Sequence, residues 1–371
     1  MRIVNIVDSL DRINFGIWNA AIFTTSKLKS NHGVESELWA PHTDQWDRTD
    51  YELSDVQMFC GTSRAHMMET LEKAKVDSET TIFVTHGAWS FCSRWGYWLK
   101  KLGYKWMAIP QGMLEPWSLR QKWLRKRVYR ACCEDRFLRS ADFIRAVSTP
   151  ELANLTRLFG KQNSQIRLIP NGVEVPPPPV DLKLLDSSEK VFLFLGRLHK
   201  KKAVAELVQA FCLLPESIVG NSRLLIVGPD QGEQAKIEHF IAKSGKNNIE
   251  LVGPAFGGEK ERYLRQSHFF VLPSHSEGFP TSVIEAMAFG CVPLLSPGCN
   301  FPEATANDLA ISVLPNVDAI RKGLGVAFGM SESEIQTTRQ SGFRFIADNY
   351  STDAIAKLQY QAFESLLNQL E

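Results

Sequence analysis

Glu277 and Glu285 stand eight residues apart in the stretch SEGFPTSVIEAMAFGCVPLLSPG, residues 276–298. Pro280 between them suits the first position of a helix, where its missing N–H has no helical partner to lose. TSVIEAMAF follows, and Gly290 is a usual residue just past a helix end. Helix geometry puts Glu285 about 7 Å along the axis from Pro280. Exposure is the commonest fate of a helical glutamate. Here Val283, Ile284, Met287 and Ala288, with the apolar run CVPLLS beyond, predict a helix buried on most sides. A buried carboxylate without a partner is costly or changes its protonation. Glu285 therefore needs hydrogen-bond donors, which sugar or ribose hydroxyls supply. Glu277 lies in the turn with Gly278, Phe279 and Pro280, where backbone N–H groups near a helix N-terminus attract anions and hydroxyl-bearing groups. Two carboxylates so placed would grip two parts of one ligand.

The elements that must hold them repeat a rhythm. RIVNIV (2–7), TIFVTH (81–86), YKWMAIP (104–110) and DFIRAVS (142–148) read as strands, with helical stretches between them. A strand in IRLIPNG ends at Pro170-Asn171-Gly172, a turn signal. Pro176 to Pro179 cannot join a helix or a central strand and form a stiff connector. The rhythm then restarts with KVFLFLGRL (190–198), SRLLIVGP (222–229), NIELVG (248–253), HFFVLPS (268–274) and CVPLLS (291–296). AVAELVQAFCLL (203–214) reads as a helix, as does STDAIAKLQYQAFESLLNQLE (351–371), with Ser351 as its cap. The fold class is α/β: two doubly wound, Rossmann-like domains facing a cleft, with chemistry expected just after strand ends.

The motifs together resemble the retaining nucleotide-sugar glycosyltransferases of family four, which have the GT-B fold. The resemblance rests on EGFPTSVIEAMA, an E-x(7)-E signature, with IPNGVEVP, FLGRLHKKKAVAELVQAF, LLIVGP, LVG and VLPSHSEGFPTSVIEAMAFGCVPLLS in the family's order. It implies an acceptor-binding domain over 1–171, a linker at 172–180 and a nucleotide-sugar donor domain over 181–350, the last helix (351–371) packing back on the first domain. It gives Glu285 the donor ribose and Glu277 the sugar hydroxyls, with backbone groups of Gly278, Phe279, Pro280 and Thr281 on the sugar and diphosphate. Arg197 ends an apolar strand and Lys202 begins the next helix; both match the family's cations around the leaving diphosphate. Fixed cations there stabilise a transition state whose charge grows. The family usually has Gly after that lysine, where this chain has Ala203, which makes Lys201 a substitute candidate.

In the first domain the resemblance assigns Gly16 to the phosphate loop. His86 follows a strand, a position for either a structural or a catalytic histidine. Gln111 stands where many relatives carry a histidine and can only position a sugar; Glu115 and Trp117 are acceptor candidates. Residues 118–140 are locally cationic and carry Trp123. They read either as a solvated helix face or as a surface docking on anionic lipid.

Lys plus Arg number 42 against 41 Asp plus Glu, a balance that argues against a general nucleic-acid binder. Seven irregularly spaced cysteines suggest neither a zinc site nor a disulfide framework. No leader or membrane-spanning run is read. The expected setting is cytoplasmic, with peripheral contact at the inner face of the membrane. No metal or cofactor is expected. The implied reaction moves a hexose from a UDP- or GDP-sugar to a glycan or lipid-linked acceptor in bacterial surface-polysaccharide assembly. Alternatives are another GT-B enzyme such as a sugar-nucleotide epimerase, an inverting transferase, or a non-catalytic sugar-nucleotide binder. A nicotinamide dehydrogenase is disfavoured, because no G-x-G-x-x-G follows the first strand.

Overall fold

The computed structural model describes residues 1–11, 15–42, 56–160, 165–177 and 189–368. Part of the loop after the first strand (12–14), the prolines at 178–179, the start of the second domain (181–188) and the end of the last helix (369–371) lie outside the described residues. The chain forms two compact units, Met1–Gly172 with Thr352–Glu371, and Val173–Ser351.

Among the described residues the first unit holds a seven-stranded parallel sheet. Its strands are β1 (Arg2–Ile6), β2 (Glu35–Pro41), β3 (Val56–Phe59), β4 (Thr81–His86), β5 (Lys105–Ile109), β6 (Phe143–Ala146) and β7 (Ile166–Leu168), in the order β3-β2-β1-β4-β5-β6-β7. The second unit holds six: β8 (Lys190–Leu195), β9 (Ser222–Val227), β10 (Ile249–Gly253), β11 (Phe269–Leu272), β12 (Val292–Leu295) and β13 (Ile311–Ser312), in the order β10-β9-β8-β11-β12-β13. Helices covering both faces explain why β4, β11 and β12 are buried at every residue, and why β11 and β12 read as unbroken apolar runs. β2, β3 and β13 add to the strands expected from the sequence. They are less apolar or shorter: β2 opens on Glu35-Ser36-Glu37, and β13 has two residues.

The two crossings of the chain lie side by side, with Val173 N donating to Tyr350 O at 2.9 Å. Arg145, buried in β6, fixes the departing strand: its Nε donates to Ile169 O at 2.7 Å and its Nη2 to Pro170 O at 2.6 Å. The final helix, Thr352–Asn368, belongs to the first unit, where Thr24 Oγ1 donates to Gln359 Oε1 at 2.6 Å.

In each sheet the strand order reverses once, at β1/β4 and at β8/β11. Connections leave in opposite directions there and open a crevice at the carboxyl ends of the strands. At that edge of the second unit, Gly196 after β8 and Gly228 after β9 touch. A methyl group at Gly228 would lie 1.9 Å from Gly196 O, and Gly228 has φ +149°. Gly228→Ala should therefore destabilise the protein by about 3 kcal/mol, combining backbone strain with overpacking. Urea unfolding would read this; a midpoint within error of wild type would show that the two loops are not in contact.

Candidate active site at the β8/β11 switch point

The loops after β8 and β11 meet across the reversal. His275 N donates to Lys201 O at 2.8 Å, and Lys202 Nζ reaches Glu277 Oε1 at 2.7 Å. Glu277 is 8 % exposed, so it is not a solvated turn residue. Its loop is pinned from several sides. Ser274 Oγ donates to Glu277 Oε1 at 2.5 Å, Glu277 N donates to Gly298 O at 2.7 Å, and Asn300 Nδ2 donates to Glu277 O at 2.7 Å. Ser296 Oγ donates to Ser274 O. Gly298 permits this packing, since a Cβ there would meet Ser274 O at 2.3 Å. All the bonds to the carboxylate fall on Oε1; Oε2 of Glu277 accepts none from a described residue.

Glu285 lies on the helix Thr281–Ala288. The helix starts one residue after Pro280, which is its flanking residue and not its first turn. Gly290, with φ 81°, follows its end. Val283, Ile284, Ala286, Met287 and Ala288 are buried, but the Glu285 side chain is 20 % exposed and paired with Lys260 Nζ at 3.0 Å. The expectation of a carboxylate lacking protein donors is corrected: a lysine already holds Oε1. Oε2 again accepts no hydrogen bond from a described residue. Lys260 sits on the helix Gly257–Arg265 after β10. It escaped the sequence reading because Glu259-Lys260-Glu261-Arg262 reads as a solvated charged face.

The backbone donors are fewer than expected. Pro280 has no N–H, and Thr281 N donates to Phe279 O at 3.0 Å. Gly278 and Phe279 are left with N–H groups that bond no described residue. Arg197 is exposed just past β8 and makes no ion pair with a described residue. Ala203 is buried with φ 51° and ψ 34°, the left-handed conformation that glycine takes without strain. The chain keeps this geometry with alanine at a cost of about 1–2 kcal/mol.

In the first unit His86 ends β4 at the β1/β4 reversal. It is 1 % exposed. Its Nε2 faces Asn5 Oδ1 at 3.0 Å, and Gln111 Nε2 donates to its Nδ1 at 3.1 Å. The ring proton therefore sits on Nε2. Burial, with Arg145 nearby, pushes the imidazole down to about 3. A neutral ring with both nitrogens engaged and no surface cannot serve as acid or base, which corrects the catalytic expectation for His86. Gln111 has φ 53° and Gly112 φ 74°. Glu151 holds this turn, accepting from Gly112 N at 2.5 Å and Val147 N at 2.8 Å; burial pushes its carboxyl up to about 7. Glu115 is buried at 7 %, and its charge adds to that rise. Trp117 is half-buried. Gly16 is exposed in the helix Phe15–Ile22, and a Cβ there would meet nothing within 4 Å, so nothing in this structure requires glycine.

Two doubly wound parallel-sheet units, one carrying paired carboxylates and cations at its switch point, define a GT-B protein. Residues 182–325 match the family model for glycosyl transferases group 1, and residues 32–172 that for a glycosyl transferase 4-like domain. The two matches span both units, and the chain belongs to the group 1 glycosyltransferases. The chain is similar to a D-inositol 3-phosphate glycosyltransferase of Xylanimonas cellulosilytica, 28 % identical over 42 % of this chain and 41 % of that protein. It is 29 % identical to the capsular polysaccharide biosynthesis glycosyltransferase CapH of Staphylococcus aureus over 38 % of each chain. These matches span less than half the length of either relative. The Anabaena protein HepE, solved in complex with UDP and glucose, superposes with a TM-score of 0.75, 16 % identity, and coverage of 98 % of this chain and 100 % of that one. Sucrose-phosphate synthase from Thermosynechococcus elongatus gives 0.76 at 20 % identity, covering 99 % of both chains.

The buried His86 makes a pH signature. An unfolded histidine titrates near 6.5, so the stability that neutral His86 contributes is fully present above that pH and lost as pH falls toward about 3. Glu151 acts oppositely: its contribution is present below 4.5 and lost as pH rises to about 7. The two slopes offset between about 4.5 and 6.5. His86→Gln removes only the first. Its stability deficit against wild type should shrink by about 2 kcal/mol between pH 7 and pH 5, read by urea unfolding at each pH. A deficit independent of pH would show that the fold leaves the titration of His86 unshifted.

Proposed function

We propose that the protein is a retaining glycosyltransferase that moves a hexose from a UDP- or GDP-sugar to a hydroxyl of a glycan or lipid-linked acceptor in bacterial surface-polysaccharide assembly. The observation that carries this reading is the pair of carboxylates at the β8/β11 switch point, each anchored by a lysine on Oε1 and open on Oε2. Ionised carboxylate oxygens accept hydrogen bonds and donate none, so their partners must be donors such as hydroxyls. Glu285 would take the ribose and Glu277 the sugar. Arg197, without an ion-pair partner among the described residues, would fork onto the diphosphate. Lys202 has three N–H donors, and Glu277 uses one. Gly278 and Phe279 N–H would add backbone donors. HepE has been solved with UDP-glucose, and CapH is named for capsular polysaccharide synthesis, which supports the donor class and the setting.

In this mechanism the bond from the sugar's anomeric carbon to the diphosphate oxygen breaks while the acceptor oxygen bonds on the same face. The acceptor proton passes to the departing phosphate oxygen. Glu277 positions the sugar and does not attack it. The growing charge on the leaving group is met by Arg197 and Lys202, so the reading calls for no metal. The first unit would carry the acceptor, with Gln111 and Trp117 offering an amide and an aromatic face.

The segment 118–140 supports lipid docking over a plain solvated face. It is no single helix: Pro116–Arg120, Trp123–Tyr129, a π-helical turn at Arg130–Glu134 and Asp135–Arg139 follow one another. Trp123, Leu124 and Val128 are 58 %, 61 % and 55 % exposed. Arg120, Lys122, Arg125, Lys126 and Arg127 flank them. Apolar tips within a cationic rim fit an anionic bilayer surface. No described helix is long and apolar enough to cross a membrane.

Steady-state kinetics with UDP- and GDP-sugars test the donor site. Glu285→Ala should raise the donor KM roughly tenfold or more, whereas Arg197→Ala should lower kcat roughly a hundredfold. Equal effects on both parameters in the two variants would remove the division of labour. NMR of the product would show the donor's anomeric configuration; inversion overturns the retaining assignment, and donor binding without turnover makes the protein a sensor.

The lipid reading predicts co-sedimentation with phosphatidylglycerol vesicles and not with phosphatidylcholine vesicles. The double variant Trp123→Ser, Leu124→Ser should weaken that binding at least roughly tenfold. Equal binding to both lipids, or no loss in the variant, would sink it.

A further inference from the structure

We propose that Lys260 is a positioning residue for nucleoside recognition, setting Glu285 to read the vicinal hydroxyls of the ribose. The inference rests on the nucleotide-sugar reading above and adds a residue that neither the motif nor its spacing contains.

Lys260 has acidic neighbours on both sides, yet it pairs with neither. Glu259 is held by Arg262 at 3.8 Å and Glu261 by Arg265 at 3.4 Å, one turn along the same helix. Lys260 instead crosses to Glu285, 25 residues away on another helix, at 3.0 Å. Its side chain is 24 % exposed and that of Glu285 20 %. A partly exposed pair of this kind contributes little to stability. What it does is geometric. It occupies one carboxylate oxygen, removes the rotamer freedom of Glu285, and leaves the second oxygen as a fixed acceptor.

The same arrangement recurs on Glu277, with Lys202 on Oε1 and Oε2 left open. There the lysine comes from the loop after β8, across the switch point. For Glu285 it comes from the helix after β10, at the far edge of the same sheet. Both carboxylates are thereby neutralised as pairs. Arg197 beside them makes no ion pair with a described residue, and its charge is positive. A diphosphate is attracted by that balance, while two bare carboxylates would repel it. An open acceptor in a charge-neutral pair, on the helix that follows the sugar loop, suits a diol better than a phosphate.

The test is titration calorimetry of the full chain with UDP, GDP and their 2′-deoxy forms, with Tm measured alongside. Wild type should bind one ribonucleotide and prefer it to its deoxy form. Lys260→Met should lose roughly three- to tenfold in affinity, as expected for freeing one ordered side chain. It should also lose most of the ribose preference, with Tm within about 2 °C of wild type. Lys260→Arg should restore the preference. Lys260→Gln provides a second neutral variant should the methionine lower solubility. Wild-type affinity and ribose preference in Lys260→Met would overturn the inference while leaving the donor reading intact. So would an affinity loss that tracks a fall in Tm. If neither UDP nor GDP binds wild type, the donor reading itself fails, and the inference with it.

Discussion

Lysine on one oxygen of each motif carboxylate is the interaction on which the arrangement of the second unit's switch point turns. A pocket for a nucleotide sugar faces opposed demands. Hydroxyls call for strong acceptors, and ionised carboxylates are the strongest that side chains offer. A diphosphate calls for the reverse charge. Two unit charges 4 Å apart interact by about 4 kcal/mol at an effective dielectric near 20, so bare carboxylates near the phosphates would cancel much of what the cations provide. Pairing Glu277 with Lys202 and Glu285 with Lys260 would meet both demands, because each carboxylate keeps an acceptor oxygen while its charge is balanced locally. Arg197, which makes no ion pair with a described residue, would then add a positive charge to that balance.

That arrangement is a consequence of topology. Parallel strands place every following loop on one edge, and the reversal at β8/β11 lets the loops after those strands approach. The approach is fixed by backbone as much as by charge. Lys201 O takes His275 N, Gly298 O takes Glu277 N, and Gly298 is small enough for Ser274 O to pass. Ala203 holds a left-handed conformation within the lysine turn. Strain of this order persists when neighbours over-determine the backbone. Ala203 is completely buried, at the start of the helix Val204–Cys212 that packs on the core. The glycine usual in the family is thus replaced without losing the turn that presents Lys202.

The sheets and the two glutamates were legible in the sequence because their signals are local. Strands buried on both faces appear as apolar runs, and a glutamate on the second turn of a helix flanked by Pro280 and Gly290 has its place set by helix geometry. β2 and β3 were not legible: one opens on alternating Glu and Ser, and the other is half-exposed at the sheet edge. Lys260 was not legible because its partner lies 25 residues on and its own neighbours offer nearer carboxylates. Arg262 and Arg265 take those carboxylates one turn along the same helix, but only the tertiary structure brings Lys260 to Glu285.

His86 shows the opposite limit of local reading. A histidine at a strand's carboxyl end has the right place for chemistry, but its place does not say what covers it. Here Asn5 and Gln111 take both ring nitrogens, and burial keeps the ring neutral. The chain Asn5–His86–Gln111 has a different product. It reaches from β1 through β4 to the turn after β5, and it ends on a residue whose φ of 53° is unfavourable for anything but glycine or a short polar side chain. Glu151 holds the next residue, Gly112, from the other side. A buried polar network satisfied at every member rigidifies what it touches. What it touches here is the turn after β5, which carries the side-chain amide of Gln111. The histidine's role in the structure is therefore positional: it helps define where Gln111 stands, with both ring nitrogens engaged in doing so.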